Sequence, residues 1–368
     1  LVNGTINYEL SDFNLIGAYI QTEGDNYTQV DEIPTSGYEF NSEKSYCTVN
    51  DENINVTLSY DMETQNLTIT PLTTKGTKCY LYFDEKLSAG DTILASGNAP
   101  TGQTTDWTNN GQGVTYYYTG ANPNNWVQFG EFWWRIIRIN GDGSIRMIYQ
   151  GTSANTTGTG TQIGTSAFNS SYNRSYYVGL VHDGSGQHGY GQPSTIMTTL
   201  NNWYNSNLAS YEEDYIDTGA GFCSDRNLQS GSWSATGNHS YAAYGRLYNK
   251  GSESASLQCS DVDILSQDNG RLPNPIGLVT ADEVALAGVT WSNPQSSYLN
   301  TGQNYWTMSP SMSINGFAGV FRVYSSGRLI DDRVNYSNGV RPVINLKANI
   351  AISSGNGSSD TPFVVLTS

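Results

Sequence analysis

An α+β fold is predicted for this 368-residue chain on three observations. Short runs of alternating or β-branched residues recur from end to end, two segments carry the helical period, and Asn- and Gly-rich turns separate them. The length allows two domains with ordinary cores, or one large domain with appendages.

Taken in order, residues 1–87 read as a small all-β sandwich, a stalk or adaptor. Segments 55–60 (NVTLSY), 66–70 (NLTIT) and 79–83 (CYLYF) are strand-like, with polar turns between them. A Gly-, Ser-, Thr- and Ala-rich stretch over 88–106 predicts a linker, and 107–368 a second domain. There, 132–139 (FWWRIIRI) and 144–149 (SIRMIY) flank Asn140, Gly141, Asp142 and Gly143. That is a hairpin signal, because Asn and Gly accept positive φ.

From about Ser194, the residues Ile196, Leu200, Trp203, Tyr204 and Leu208 recur at the helical period. A second helix opens at Thr280, with Glu283 at the capping-box position and Gly288 to end it. Between the helices, 218–275 is long and poorly hydrophobic; such loops are usually functional or held by a disulfide. Strands return at 319–324 (GVFRVY), 328–330 (RLI) and 340–346 (VRPVINL), a meander with a turn at 325–327.

Charged residues make up 14% of the chain, against roughly 25% in a typical domain. With 26 Tyr and recurring apolar runs, the composition is that of a β-rich fold with long polar loops, not of disorder. The net charge of −16, with only 17 Lys plus Arg, repels phosphate backbones and anionic lipid heads, so no nucleic-acid partner is expected. No apolar run is long enough to span a bilayer, so no direct membrane insertion is expected. The chain opens at Leu1 without a Met, and a signal peptide or anchor is expected to have been removed.

The cysteines Cys47, Cys79, Cys223 and Cys259 allow three pairings. Pairing within each domain is the simplest and would contribute roughly 3–4 kcal/mol per staple; four buried thiols are the alternative. Disulfides in a polar, Lys-poor chain point to an extracellular or cell-surface location. No Cys-x-x-Cys stands near a His, so no zinc is expected.

Four segments in order, FWWRIIRINGDGSIRMIY (132–149), IGLVTADEVALAG (276–288), NYWTMSP (304–310) and NGVRPVINLK (338–347), resemble a bacterial extracellular family with the C-type-lectin-like fold. That family is related in shape to the formylglycine-generating enzyme and to the variable receptors of diversity-generating retroelements. The resemblance covers about 88–368; SYCTVN (45–50) and TKGTKCYLYFD (74–84) resemble small β domains that accompany it. It implies two helices flanking small antiparallel sheets and a ligand-receiving C-terminal surface. In diversified relatives that surface precedes a Gly-x-Arg-Pro-Val-like segment, which here places it at 311–338.

The residues singled out as ligand contacts are Ser311, Met312, Ser313, Phe317, Arg322, Tyr324, Arg328, Asp331, Asp332, Arg333, Asn335 and Tyr336. Tyr offers a large contact area at low rotamer cost, and Arg in so acidic a chain can receive a carboxylate or stack on a ring. The bland reading is a hairpin face with ordinary cross-strand Arg–Asp pairs. Arg341 is read as a structural hydrogen-bond hub.

Enzymatic readings find less support. The formylglycine-generating activity needs a C-terminal cysteine pair, and none follows Cys259. His182, His188 and His239 lie in Gly/Ser-rich loops with no nucleophile elbow, although His182 and Asp183 make half a dyad. Glu212, Glu213 and Asp214, or Asp331 and Asp332, are the candidate carboxylate pairs for glycoside hydrolysis. At LPNP (272–275) Leu272 replaces the acid that calcium-bridged sugar binding requires, and Asp261, Asp263 and Asp268 fit no EF-hand spacing. The expectation is a non-enzymatic surface receptor or adhesin for a protein or glycan, without metal or cofactor, with retroelement diversification as one form of it. The rivals are a structural subunit of a surface layer, fibre or phage particle, and a carbohydrate-active enzyme.

Overall fold

The computed structural model describes residues 7–8, 14–34, 37–62, 64–71, 76–98, 100, 102–105, 114–292, 296–353 and 355–367. Residues 99, 101 and 106 of the expected linker, and 74–75 of the TKGTKCYLYFD segment, lie outside them. The chain is α+β, with several small sheets and short helices.

The division between two compact units falls between Ser88 and Ala89. Much of the expected linker is therefore not a linker. Ala89–Ala95 is a helix whose Ala89 and Ile93 are buried in the second unit's core, and Gly102–Thr105 pairs as a strand with Val114–Tyr117. The small residues that suggested a linker serve close packing: a Cβ on Gly90 would stand 2.5 Å from Ile139 and 2.7 Å from the Gly143 carbonyl.

In the first unit, five strands lie in the order Asn26–Val30, Asn14–Glu23, Lys78–Glu85, Tyr38–Val49 and Glu52–Ile54. A smaller sheet runs Asn7–Tyr8, Asn66–Thr70, Thr57–Asp61. Alternation along Thr57–Asp61, Asn66–Thr70 and Lys78–Glu85 turns Leu58, Tyr60, Leu67, Ile69, Leu81 and Phe83 into one shared core. Cys47 and Cys79 sit directly opposite each other on antiparallel strands and are joined by a disulfide. On Lys78–Glu85 the half-buried Tyr80 and Tyr82 alternate with the core residues Leu81 and Phe83, and they stack with Tyr46 and Tyr19 in a ladder.

The second unit holds two larger sheets. One runs in the order Val343–Leu346, Ile145–Gly151, Phe132–Ile139, Trp126–Phe129, Phe363–Val365 and Ile352–Ser353. The other runs Gly164–Ala167, Ser337–Val340, Tyr305–Ile314, Phe317–Tyr324 and Arg328–Arg333, with His239–Ser240 also paired to Tyr305–Ile314. The chain passes from the second sheet to the first at Arg341 and Pro342. Arg341 is fully buried there, donates to the Tyr149 carbonyl and to Gln150 Oε1, and lies over the Tyr305 ring.

Local signals hold where they were read. Gly143 takes φ +82 in the turn between Phe132–Ile139 and Ile145–Gly151. Thr195–Asn207 is a helix capped by the Ser194 hydroxyl, with Ile196, Leu200 and Tyr204 facing the core. Ala281–Leu286 carries the full capping box of Thr280 and Glu283. The long segment between these helices is tied by the Cys223–Cys259 disulfide and contains a further helix, Ala242–Leu247. The two disulfides fit an oxidising compartment. Among the described residues, no helix is long and apolar enough to cross a membrane.

Candidate functional site

The strands Tyr305–Ile314, Phe317–Tyr324 and Arg328–Arg333 form an antiparallel meander. Asn315 and Gly316 make the first turn, both at positive φ (50° and 76°), the conformation that a two-residue hairpin of matching twist requires. Gly327, at φ +84, closes the second turn by donating to the Tyr324 carbonyl. Phe321, Val323 and Leu329 share one buried face of the strands, and Val320 and Val334 are buried as well.

At the end of the meander near Asn315 a groove of about 380 Å³ opens. Met312, Ile314, Asn315, Phe317, Ala318, Gly319, Asp331, Asp332, Arg333 and Tyr336 line it. Six of the twelve residues expected to contact ligand thus meet in one depression: Met312, Phe317, Asp331, Asp332, Arg333 and Tyr336.

The other six do not line it. Ser311 and Ser313, 0% and 4% exposed, are corrected from ligand contacts to supports. They lie in a central strand packed against the helix Ala242–Leu247 and the turn Ser175–Val178, and their hydroxyls meet Asp331 and Ser175. Arg322 is committed to an ion pair with Asp332 at 2.8 Å and to Asn338 at 2.8 Å. It also lies over Tyr324, 5.2 Å from the ring centroid. Arg328 donates to the Trp291 carbonyl, and Asn335 is exposed beyond the groove.

Within the groove the charges differ in availability. Asp332 is held by Arg322, by Asn338 and by the Arg333 amide. Asp331 accepts from the Ser311 hydroxyl, and burial raises its carboxyl above the usual range. Arg333 lies 3.7 Å from the Phe317 centroid and 6.0 Å from that of Tyr336, and among the described residues it has no carboxylate partner. One cation on an aromatic shelf and one carboxyl in reach of a hydroxyl can receive a planar or hydroxylated group.

Residues the sequence reading passed over include Asn315 and Gly319. The Asn-Gly pair is a strong turn signal, and a Gly inside an apolar strand marks close approach; a Cβ on Gly319 would stand 3.1 Å from the Ser311 hydroxyl.

The other candidate groups are distributed differently. Asp331 and Asp332 both line the groove but are held differently, Asp332 in an ion pair with Arg322 and Asp331 by the Ser311 hydroxyl. Glu212 accepts from the Tyr204 hydroxyl. His182 packs against Tyr176 and Tyr177, and its pKa is lowered, chiefly by burial. It is His188, not His182, that meets an acid: its Nδ1 is 2.7 Å from Asp263, which also receives Ser224, Ser260 and Asn227. His239 bonds to Ser234, and Leu272 is buried in the core. Among the described residues, no group of three or more His, Cys, Asp or Glu side chains is placed to hold a metal ion.

Comparison with known proteins finds no matching family model, no matching curated protein and no matching solved structure.

Proposed function

We propose that this chain is a non-enzymatic surface receptor or adhesin whose second unit is a C-type-lectin-like frame. It binds a protein or glycan through the groove at the end of the C-terminal meander. The observation that carries this reading is the meeting of Met312, Phe317, Asp331, Asp332, Arg333 and Tyr336 in one open depression over a fully packed sheet. Rigid aromatics, one unpaired cation and one partly buried carboxyl are the ingredients of a recognition patch that needs neither cofactor nor covalent step. Retroelement diversification is the stronger form of the proposal, and comparison of sibling copies tests it by whether substitutions concentrate at these positions.

The binding test uses an array of glycans and bacterial or host surface proteins, probed with the full chain and with an Arg333→Ala/Tyr336→Ala variant. The expected result is a ligand bound by the native chain and lost by the variant at unchanged thermal stability. Retention of the same ligand by the variant places the site elsewhere.

The tyrosine ladder of the first unit, with Tyr46 exposed, favours a rival reading as an assembly subunit. Concentration-dependent polymers in sedimentation or electron microscopy would support that rival.

A further inference from the structure

A second pocket lies on the other large sheet of the second unit. It opens to solvent with a volume of about 230 Å³, ample for a single sugar ring. Its deepest charged group is Arg135, 5% exposed, on the strand Phe132–Ile139. Trp126 stands directly opposite on the neighbouring strand, its ring 4.1 Å from the guanidinium, and the Tyr298 ring lies 5.0 Å away. Arg135 Nε donates to Asn125 and Nη2 to the Pro123 carbonyl. Nη1 has no hydrogen-bond partner, and no carboxylate pairs with this guanidinium among the described residues.

The surroundings deepen the imbalance. Behind the pocket is the buried guanidinium of Arg341, bonded to the pocket residue Gln150, and among the described residues it has no acid and its Nη1 no partner. Burial, and secondarily the like charge of Arg341, draw Arg135 down to about 10. Burying a guanidinium without an acid is costly, and one at the floor of an open polar pocket is placed to receive an anion from solution. The walls are uncharged and polar. Asn122 and Asn155 stand exposed at the rim, with Ser297 and Thr301 in the wall. Such groups suit ring hydroxyls, and the guanidinium suits a carboxylate.

We propose that this pocket binds one acidic sugar residue, a terminal hexuronic acid, with its carboxylate on Arg135 and its hydroxyls on the exposed rim residues Asn122 and Asn155. The site stands independently of the groove above, since the two share no residue.

The test is calorimetric and saturation-transfer titration of the full chain with sodium D-glucuronate, D-glucose and acetate. Glucuronate is expected to bind saturably, with glucose and acetate each weaker by about tenfold or more. Arg135→Met is expected to abolish glucuronate binding. Because that change touches the core, Asn122→Ala, at an exposed rim position, serves as the second variant. It removes an exposed side-chain amide, so stability should hold while glucuronate affinity falls severalfold. Absence of glucuronate binding to the native chain overturns the proposal, as do glucose binding equally well and retention of binding by a folded Arg135→Met. Acetate binding as tightly as glucuronate overturns the sugar assignment.

Discussion

Arg333 and Phe317 form one stacked unit at the mouth of the meander, the guanidinium 3.7 Å from the ring centroid and the ring in turn stacked on Tyr172 at 5.6 Å. The cation is held in place by aromatic carbon and not by an acid, which leaves its hydrogens free for a visitor. A double-mutant cycle of Arg333→Ala and Phe317→Ala should give a coupling of about 0.5–1 kcal/mol in urea unfolding. A coupling of zero would mean that the stack is incidental.

Arg322 should behave in the opposite way. It is bonded to Asp332 and Asn338 with only 16% of its side chain exposed, so Arg322→Ala removes the cation from a half-buried carboxylate and a donor from the buried Asn338. A loss of about 1–3 kcal/mol is expected. Tyr336, 49% exposed, should cost no more than about 0.5 kcal/mol when replaced by Ala. Equal losses for the two variants would contradict the division of the meander into a supporting and a receiving part.

Glu283 anchors the second unit's interior. Its carboxylate meets Arg138 at 2.9 Å, Arg146 at 2.5 Å and the Thr280 amide at 2.8 Å, all buried. Burial alone would raise its pKa, but Arg146 and Arg138 more than reverse this and hold it below the usual range. Glu283→Gln strands two buried guanidinia and should destabilise by about 3–5 kcal/mol. A denaturation midpoint close to that of the native chain would show that another acid neutralises them.

Asp225 makes stability depend on pH. Burial pushes its carboxyl from 3.8 up to about 6, although Arg246 opposes the shift. The folded chain then binds this proton more tightly than the unfolded chain does. The contribution is fully present below about pH 4 and is lost as pH rises through about 6, with an amplitude on the order of 2–3 kcal/mol. Asp225→Asn removes that decline, so the variant should gain on the native chain between pH 4 and 6 in denaturant titrations. The reverse trend would show that the ion pair with Arg246 dominates burial.

Local features were legible in the sequence because their causes are local. The turn before Ser144, the Ser194-capped helix and the Thr280–Glu283 box each depend on residues within one or two turns. Strand order was not legible: Tyr305–Ile314 lies between Phe317–Tyr324 and Ser337–Val340, a choice made by tertiary packing. The same packing buries Ser311 and Ser313, which by composition resemble any exposed Ser. His188 meets Asp263 across 75 residues, so adjacency in sequence pointed to the wrong histidine. Small residues at 89–95 read as a linker because a sequence shows size but not what the backbone presses against.

The passage of the chain between sheets at Arg341 and Pro342 has a practical corollary. Tyr305, where the meander departs, is paired with Gly339, where the chain returns, so the whole excursion begins and ends at one fixed doorway. Insertions at its two turns are therefore expected to leave that doorway paired, at the loss of the Asn315–Asn238 hydrogen bond. An engineer seeking a tolerant graft site would insert foreign loops at Asn315–Gly316 and beside Gly327, and leave Arg341 untouched as the hinge pin.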